Sequence, residues 1–127
     1  MRTVLLLSAI AVVALSGCAS QSSNMRVGTD QSYLSLKDQR EAALTVKEYP
    51  SVPEGALVIG PVDASRCHRN ALDAAPLDES LKSDLKVAAY ARGADGIADI
   101  KISRESGLLK NCWFIITAQG TMFTVQR

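Results

Sequence analysis

The clearest pattern in the chain lies between Leu77 and Arg92, where Leu77, Leu81, Leu85, Ala88 and Ala89 recur at three- and four-residue steps. That period places them along one face of an α-helix. The ends agree with the middle. Pro76 suits an early helical position, Asp78 and Glu79 oppose the positive end of the helix dipole, Arg92 suits its negative end, and Gly93 can take the left-handed conformation that closes a helix. Lys82, Ser83, Asp84 and Lys86 are then expected on the solvated face. Beyond the helix the period changes to two. In "GIADIKIS", residues 96–103, Ala98, Ile100 and Ile102 share one face and Asp99 and Lys101 the other, which predicts a half-buried strand. "RESGLLKN" closes a hairpin to "CWFIITA", residues 112–118, and Gly120 separates this run from "TMFTV", residues 121–125. A glycine there predicts a bulge or a close approach by the packing helix.

Upstream, "ALTVKEY", residues 43–49, alternates as a strand, "PSVPEG" turns, and "ALVIGPVDAS", residues 56–65, is the next strand. Pro61 has no N–H for a ladder, so it marks an edge, a bulge or an outward position. "YLSLKDQREAA", residues 33–43, is a short helix or an irregular start to the domain. The order of elements argues for an α+β fold, a small mostly antiparallel sheet with one main helix packed on one face. Trp113 to Ile116 are apolar on both faces of their strand, and one helix covers only one face. Residues 31–45 are expected to cover the other; the alternative is an apolar surface kept for a partner.

The N-terminus changes the picture. Met1-Arg2-Thr3 is followed by an apolar run from Val4 to Leu15, broken only by Ser8, and then by Ser16-Gly17-Cys18. A basic start, a short apolar run and small residues describe an export signal, and a membrane-spanning helix would need about 20 apolar residues. Leu-Ser-Gly-Cys, residues 15–18, resembles the lipobox of bacterial lipoproteins, whose cysteine receives a diacylglyceryl group before cleavage on its N-terminal side. The resemblance implies a signal peptide over 1–17, a mature chain starting at a lipidated Cys18, and attachment to the membrane through that lipid. Two or more acyl chains suffice for stable anchoring where one is marginal. Ala19 and Ser20, in place of aspartate, resemble the sorting signal for the outer membrane. Residues 18–40 are expected to be the lipidated cysteine and a flexible tether, because residues 19–31 are too polar to bury a core, and residues 41–127 the folded domain. A tether of about 15 residues spans roughly 20 Å, which keeps the domain close to its membrane.

Removing 17 residues from 127 leaves a chain sized for one domain. Without Arg2 the basic count falls from 14 to 13 and equals the acidic count, so nothing in the charge favours nucleic acid as a partner. There are 3 cysteines. With Cys18 assigned to lipid, Cys67 and Cys112 remain as an even pair in an oxidising compartment and read as a disulfide. Closing that 45-residue loop stabilises the fold by about 4 kcal/mol in the chain-entropy model. Free thiols, a redox pair or metal ligands are the alternatives, and no Cys-x-x-Cys spacing supports the last two.

His68 is the single histidine. Beside Cys67 it invites a metal or nucleophile reading, but zinc needs three or four convergent ligands, and only Cys67, His68, Cys112 and Asp73 offer themselves. Asp63, Ser65 and His68 are the residue types of a hydrolytic triad, crowded within six residues and without a nucleophile elbow. No phosphate loop or dinucleotide fingerprint is present, so neither catalysis nor a cofactor is expected. Arg66, His68 and Arg69 form a small basic cluster around Cys67, and with Trp113 they are the candidate partner-binding residues.

"VIGPVDASRC", a helix ending "AYARGADGIADI", and "NCWFIITAQGTMF" together resemble the Rcs stress-sensor outer-membrane lipoprotein family and the small lipoproteins that share its domain. The resemblance covers residues 57–125. It implies the same α+β domain, places Cys67 and Cys112 where that family has an inter-element disulfide, and suggests a non-catalytic role in envelope-stress sensing or binding another envelope protein. A small ligand- or metal-binding lipoprotein is the alternative. The chain departs from the family in lacking a second disulfide, with Ala98 or Asp99 and Gln119 or Gly120 near those places, and in having a shorter tether that is neither basic nor proline-rich.

Overall fold

The structure is a computed structural model that describes residues 24–27 and 34–126. The expected signal peptide, Cys18 and much of the expected tether lie outside the described residues. In chain order the elements are β1 (Asn24–Val27), α1 (Leu36–Thr45), β2 (Lys47–Tyr49), β3 (Leu57–His68), α2 (Asp78–Ala91), β4 (Gly96–Ser106), a 3-10 turn (Leu108–Lys110) and β5 (Phe114–Thr124). The five strands form one sheet in the order β1-β3-β5-β4-β2. Neighbours run antiparallel except β2, which lies parallel to β4. The fold is α+β, a mostly antiparallel sheet with α2 packed across one face.

That face holds the core. Leu81, Leu85, Ala88 and Ala89 of α2 meet Val62, Ile97, Ile116, Ala118 and Met122 of the sheet, with Val46 closing one side. The expected stop for α2 forms at Gly93, whose φ is 75°. Gly93 N–H donates to the Tyr90 carbonyl at 2.9 Å and Ala94 N–H to the Ala89 carbonyl at 3.0 Å, so two terminal carbonyls are satisfied where the chain reverses into β4. At the other end Leu77 is the N-cap, which puts Pro76 one residue before the cap instead of in the first turn.

Several expectations are corrected. Residues 43–49 are not one strand: α1 runs through Thr45, started by Ser35, whose Oγ accepts from the Asp38 N–H at 3.2 Å. Ala42 and Val46 are fully buried four residues apart, so helical period wins over alternation here. The tether assigned to 18–40 supplies β1, which pairs with Ser65–His68, and the first half of α1. Folded structure therefore begins earlier than residue 41. The two strands expected over 112–118 and 121–125 are one, β5, which begins at Phe114, ends at Thr124 and passes straight through Gly120. Gly120 is needed for close approach, since a Cβ there would stand 2.5 Å from the Ile97 Cγ2. The bulge sits opposite, in β4, between Ala98 and Lys101, with Asp99 at φ 54°. One extra residue shifts the alternation, so Ile97 faces the core with Ile100, Ile102 continues along the same face but is exposed, and Ala98 faces away from them.

The second sheet face is not covered by residues 34–45. Helix α1 packs against α2, on the side already occupied. The middle of the second face is polar instead: Asp63, Gln119 and Lys101 stand in one row and Ser65, Thr117 and Ser103 in the next, with the Ser65 and Thr117 hydroxyls 2.8 Å apart. Among the described residues no helix is long and apolar enough to cross a membrane.

Candidate functional site

The sequence-derived site residues gather at one end of the sheet, where β3 ends and β4 turns into β5. Cys67 and Cys112 are joined in a disulfide with their Cα atoms 5.6 Å apart. Cys67 faces the same side as its ladder neighbour Ile115, and the disulfide covers that isoleucine on the second face. This is why a strand apolar on both sides needs no further helix. The turn that brings Cys112 into place is built around Gly107, whose carbonyl accepts from the Lys110 N–H at 2.8 Å and the Cys112 N–H at 2.9 Å. Gly107 has no room for a side chain, since a Cβ would lie 2.5 Å from the Cys112 Cβ. Asn111, at φ 57°, reverses the chain at the end of the turn.

His68 alternates to the opposite, helix-bearing face and is buried. Its Nε2 donates to the Asp73 carbonyl at 2.9 Å, which ties the 69–76 loop to the sheet. Its ring stacks on Phe114, with centroids 6.4 Å apart, and Trp113 meets Phe114 edge-on at 5.6 Å. The Arg104 guanidinium lies 5.4 Å from the Phe114 centroid. The Trp113 backbone N–H donates to the His68 carbonyl at 2.7 Å, but the residue is 48% exposed. Arg69 is exposed beside it.

Arg66 occupies a different environment from Arg69. It shares the helix-bearing face with Arg26, its partner across the β1–β3 ladder, and both reach Asp84 of α2. Arg66 grips the carboxylate with two bonds, Nε to Oδ2 at 2.7 Å and Nη2 to Oδ1 at 3.1 Å, while Arg26 Nη2 reaches Oδ1 at 2.8 Å. The side chain of Asp84 is 7% exposed, against 17% for Arg66 and 40% for Arg26. Asp84 is therefore not on the solvated face of α2, because the sheet below it supplies two guanidinium groups. Lys82 and Lys86 are half-buried and pair with Glu48 of β2 at 3.6 and 2.9 Å. The Lys86 ammonium, bonded to Glu48, holds that carboxyl below its ordinary value against the opposing effect of burial.

The triad residue types do not converge. Ser65 and Asp63 alternate to the second face with Ser65 bonded to Thr117, whereas His68 faces the helix side. Both thiols of the metal set are joined to each other, and among the described residues no three His, Cys, Asp or Glu side chains converge on a metal position. A shallow polar depression of about 310 Å³ lies at the β4 bulge between Asp63, Asp99, Lys101, Gln119 and Thr121. Sequence reasoning missed Arg26 and Asp84, which carry no local signal of their pairing. It also passed over Leu108 and Leu109, exposed side by side at the hairpin tip, although two leucines in a glycine-led turn are themselves a signal. No protein-family model matches the chain, and no curated protein is significantly similar to it.

Proposed function

We propose that the chain is an exported lipoprotein of the outer membrane, acylated at Cys18, that holds a non-catalytic α+β domain at the periplasmic membrane surface, where it engages an envelope protein or reports envelope stress. The resemblance to the Rcs stress-sensor lipoproteins suggests that role. The observation that supports it most is the Cys67–Cys112 bridge. Structural disulfides belong to oxidising compartments, and this one leaves Cys18 as the odd cysteine, directly behind the apolar run. Anchoring confines the domain to a layer near the membrane and so raises its effective concentration against partners held there. Arg66 and His68 are engaged inside the fold, so of the original cluster Arg69 and Trp113 are the exposed residues.

Feeding labelled palmitate to expressing bacteria, with mass measurement of the N-terminal peptide, tests the anchor. Incorporation that disappears in Cys18→Ala is expected. A chain recovered without acyl groups and with three titratable thiols overturns the proposal.

A further inference from the structure

Asn24, the first residue of β1, is six residue steps from Cys18. Asn24 lies opposite His68, His68 opposite Phe114, and Phe114 opposite Ser106. The chain thus enters the sheet at the end where β4 turns into β5, about 10 Å from β5 and about 15 Å from β4 at ordinary strand spacing. Six extended steps reach at most about 20 Å. A lipid on Cys18 therefore holds this end of the domain against the bilayer, while the far end of β5, eleven residues along, stands about 35 Å further off when the strands are upright.

This end carries side chains suited to a membrane interface. Leu108 and Leu109 are exposed at the tip of the β4–β5 hairpin, Leu72 is 93% exposed on the neighbouring 69–76 loop, and Trp113 flanks them. Their exposure is built in. The turn is closed by the Gly107 carbonyl bonds and locked to β3 through Cys112. Tryptophan is favoured at the headgroup level, and Lys110 can lay its stem beside the leucines while its ammonium stays in water. The charges nearby are mixed, Arg69, Arg104 and Lys110 against Asp73 and Glu105. Contact there is accordingly driven by the apolar side chains more than by lipid charge.

We propose that the hairpin tip, Gly107–Trp113, together with Leu72, inserts into the interfacial layer of the membrane that carries the chain's own anchor, giving the domain a second attachment and a fixed orientation. This rests on acylation of Cys18 for the orientation, and the two fail separately. Trp113 is the one tryptophan of the chain, so it reports its own surroundings. The full chain, purified from expressing bacteria, is reconstituted into vesicles of phosphatidylethanolamine and phosphatidylglycerol carrying brominated acyl chains. The expected result is blue-shifted Trp113 emission quenched by bromine, little changed by added salt. Leu108→Asp with Leu109→Asp loses most of the quenching while the acylated chain stays on the vesicles. Leu57→Asp, at the far end of the sheet, leaves it intact. Circular dichroism and the mass of the intact disulfide confirm that each variant is folded. An acylated chain without quenching, or quenching that survives the double leucine substitution, overturns the insertion and leaves the anchor standing. A chain that proves unacylated refutes the anchor, and mixing it with the same vesicles still reads the tip: quenching supports insertion, and its absence overturns it.

Discussion

Replacing Asp84 by alanine tests the central polar contact of the fold. Its carboxylate, 7% exposed, receives three guanidinium contacts between 2.7 and 3.1 Å. Breaking a buried pair by removing one partner costs about 3–5 kcal/mol, because the other charge is left unpaired. Here the groups that lose this carboxylate are Arg66 and Arg26, 17% and 40% exposed. Each can turn partly into water, which lowers the expected loss to about 2–4 kcal/mol. Arg66→Ala should cost about 2–3 kcal/mol, since it removes the two-bond grip and leaves the buried carboxylate to the more exposed Arg26. Arg26→Ala should cost about 1 kcal/mol or less, as a solvated partner does. The double variant Asp84→Ala/Arg66→Ala should be less damaging than the sum of the singles, with a coupling of about 2 kcal/mol. Urea unfolding followed through Trp113 fluorescence measures all four. A loss below about 1 kcal/mol for Asp84→Ala, or equal losses for Arg26→Ala and Arg66→Ala, would refute the reasoning.

Replacing Cys67 and Cys112 by serine should lower stability by about 4 kcal/mol, and reduction of the parent should do the same in urea unfolding; unchanged midpoints would show that the bridge adds nothing. Gly107→Ala should hinder closure of the bridge, because its Cβ would press on the Cys112 Cβ at 2.5 Å, and thiol titration of the purified variant should then find free cysteines. Glu48 is held below its ordinary 4.5 mainly by its hydrogen bond to Lys86. The folded state thus favours the charged form, so the stability from this carboxylate is complete above pH 4.5 and is lost as pH falls through the lowered folded value. Glu48→Gln should flatten the acid side of the stability profile, and a profile that keeps the parent's slope would show that other carboxylates carry it.

Legibility followed the range of the interactions. Helix α2, with its leucine stripe and Gly93 stop, was readable because period and cap are properties of neighbouring residues. The α+β class followed from the order of such elements, and the Cys67–Cys112 pairing from the even pair left once Cys18 is set aside. The β4–β5 hairpin was visible too, although Gly120 misled about its second strand: the glycine signals close approach by Ile97, and the same residue type also marks breaks. The four candidate partner residues gather at one end of the sheet, but the sequence did not separate Arg66 and His68, which bind within the fold, from Arg69 and Trp113, which are exposed.

The sequence by itself thus determined the local pieces: the main helix and where it stops, the hairpin, the cysteine pair and the apolar run that ends at Leu15, three residues before Cys18. Only the tertiary structure decided that residues 24–27 add a strand, that α1 replaces the expected strand over 43–45, that the Asp99 bulge turns Ile97 inward, and that Asp84 lies buried between Arg66 and Arg26. Each of these depends on a partner distant in sequence. Periodicity reports which residues share a face, whereas burial and pairing are set by what the rest of the chain brings against that face.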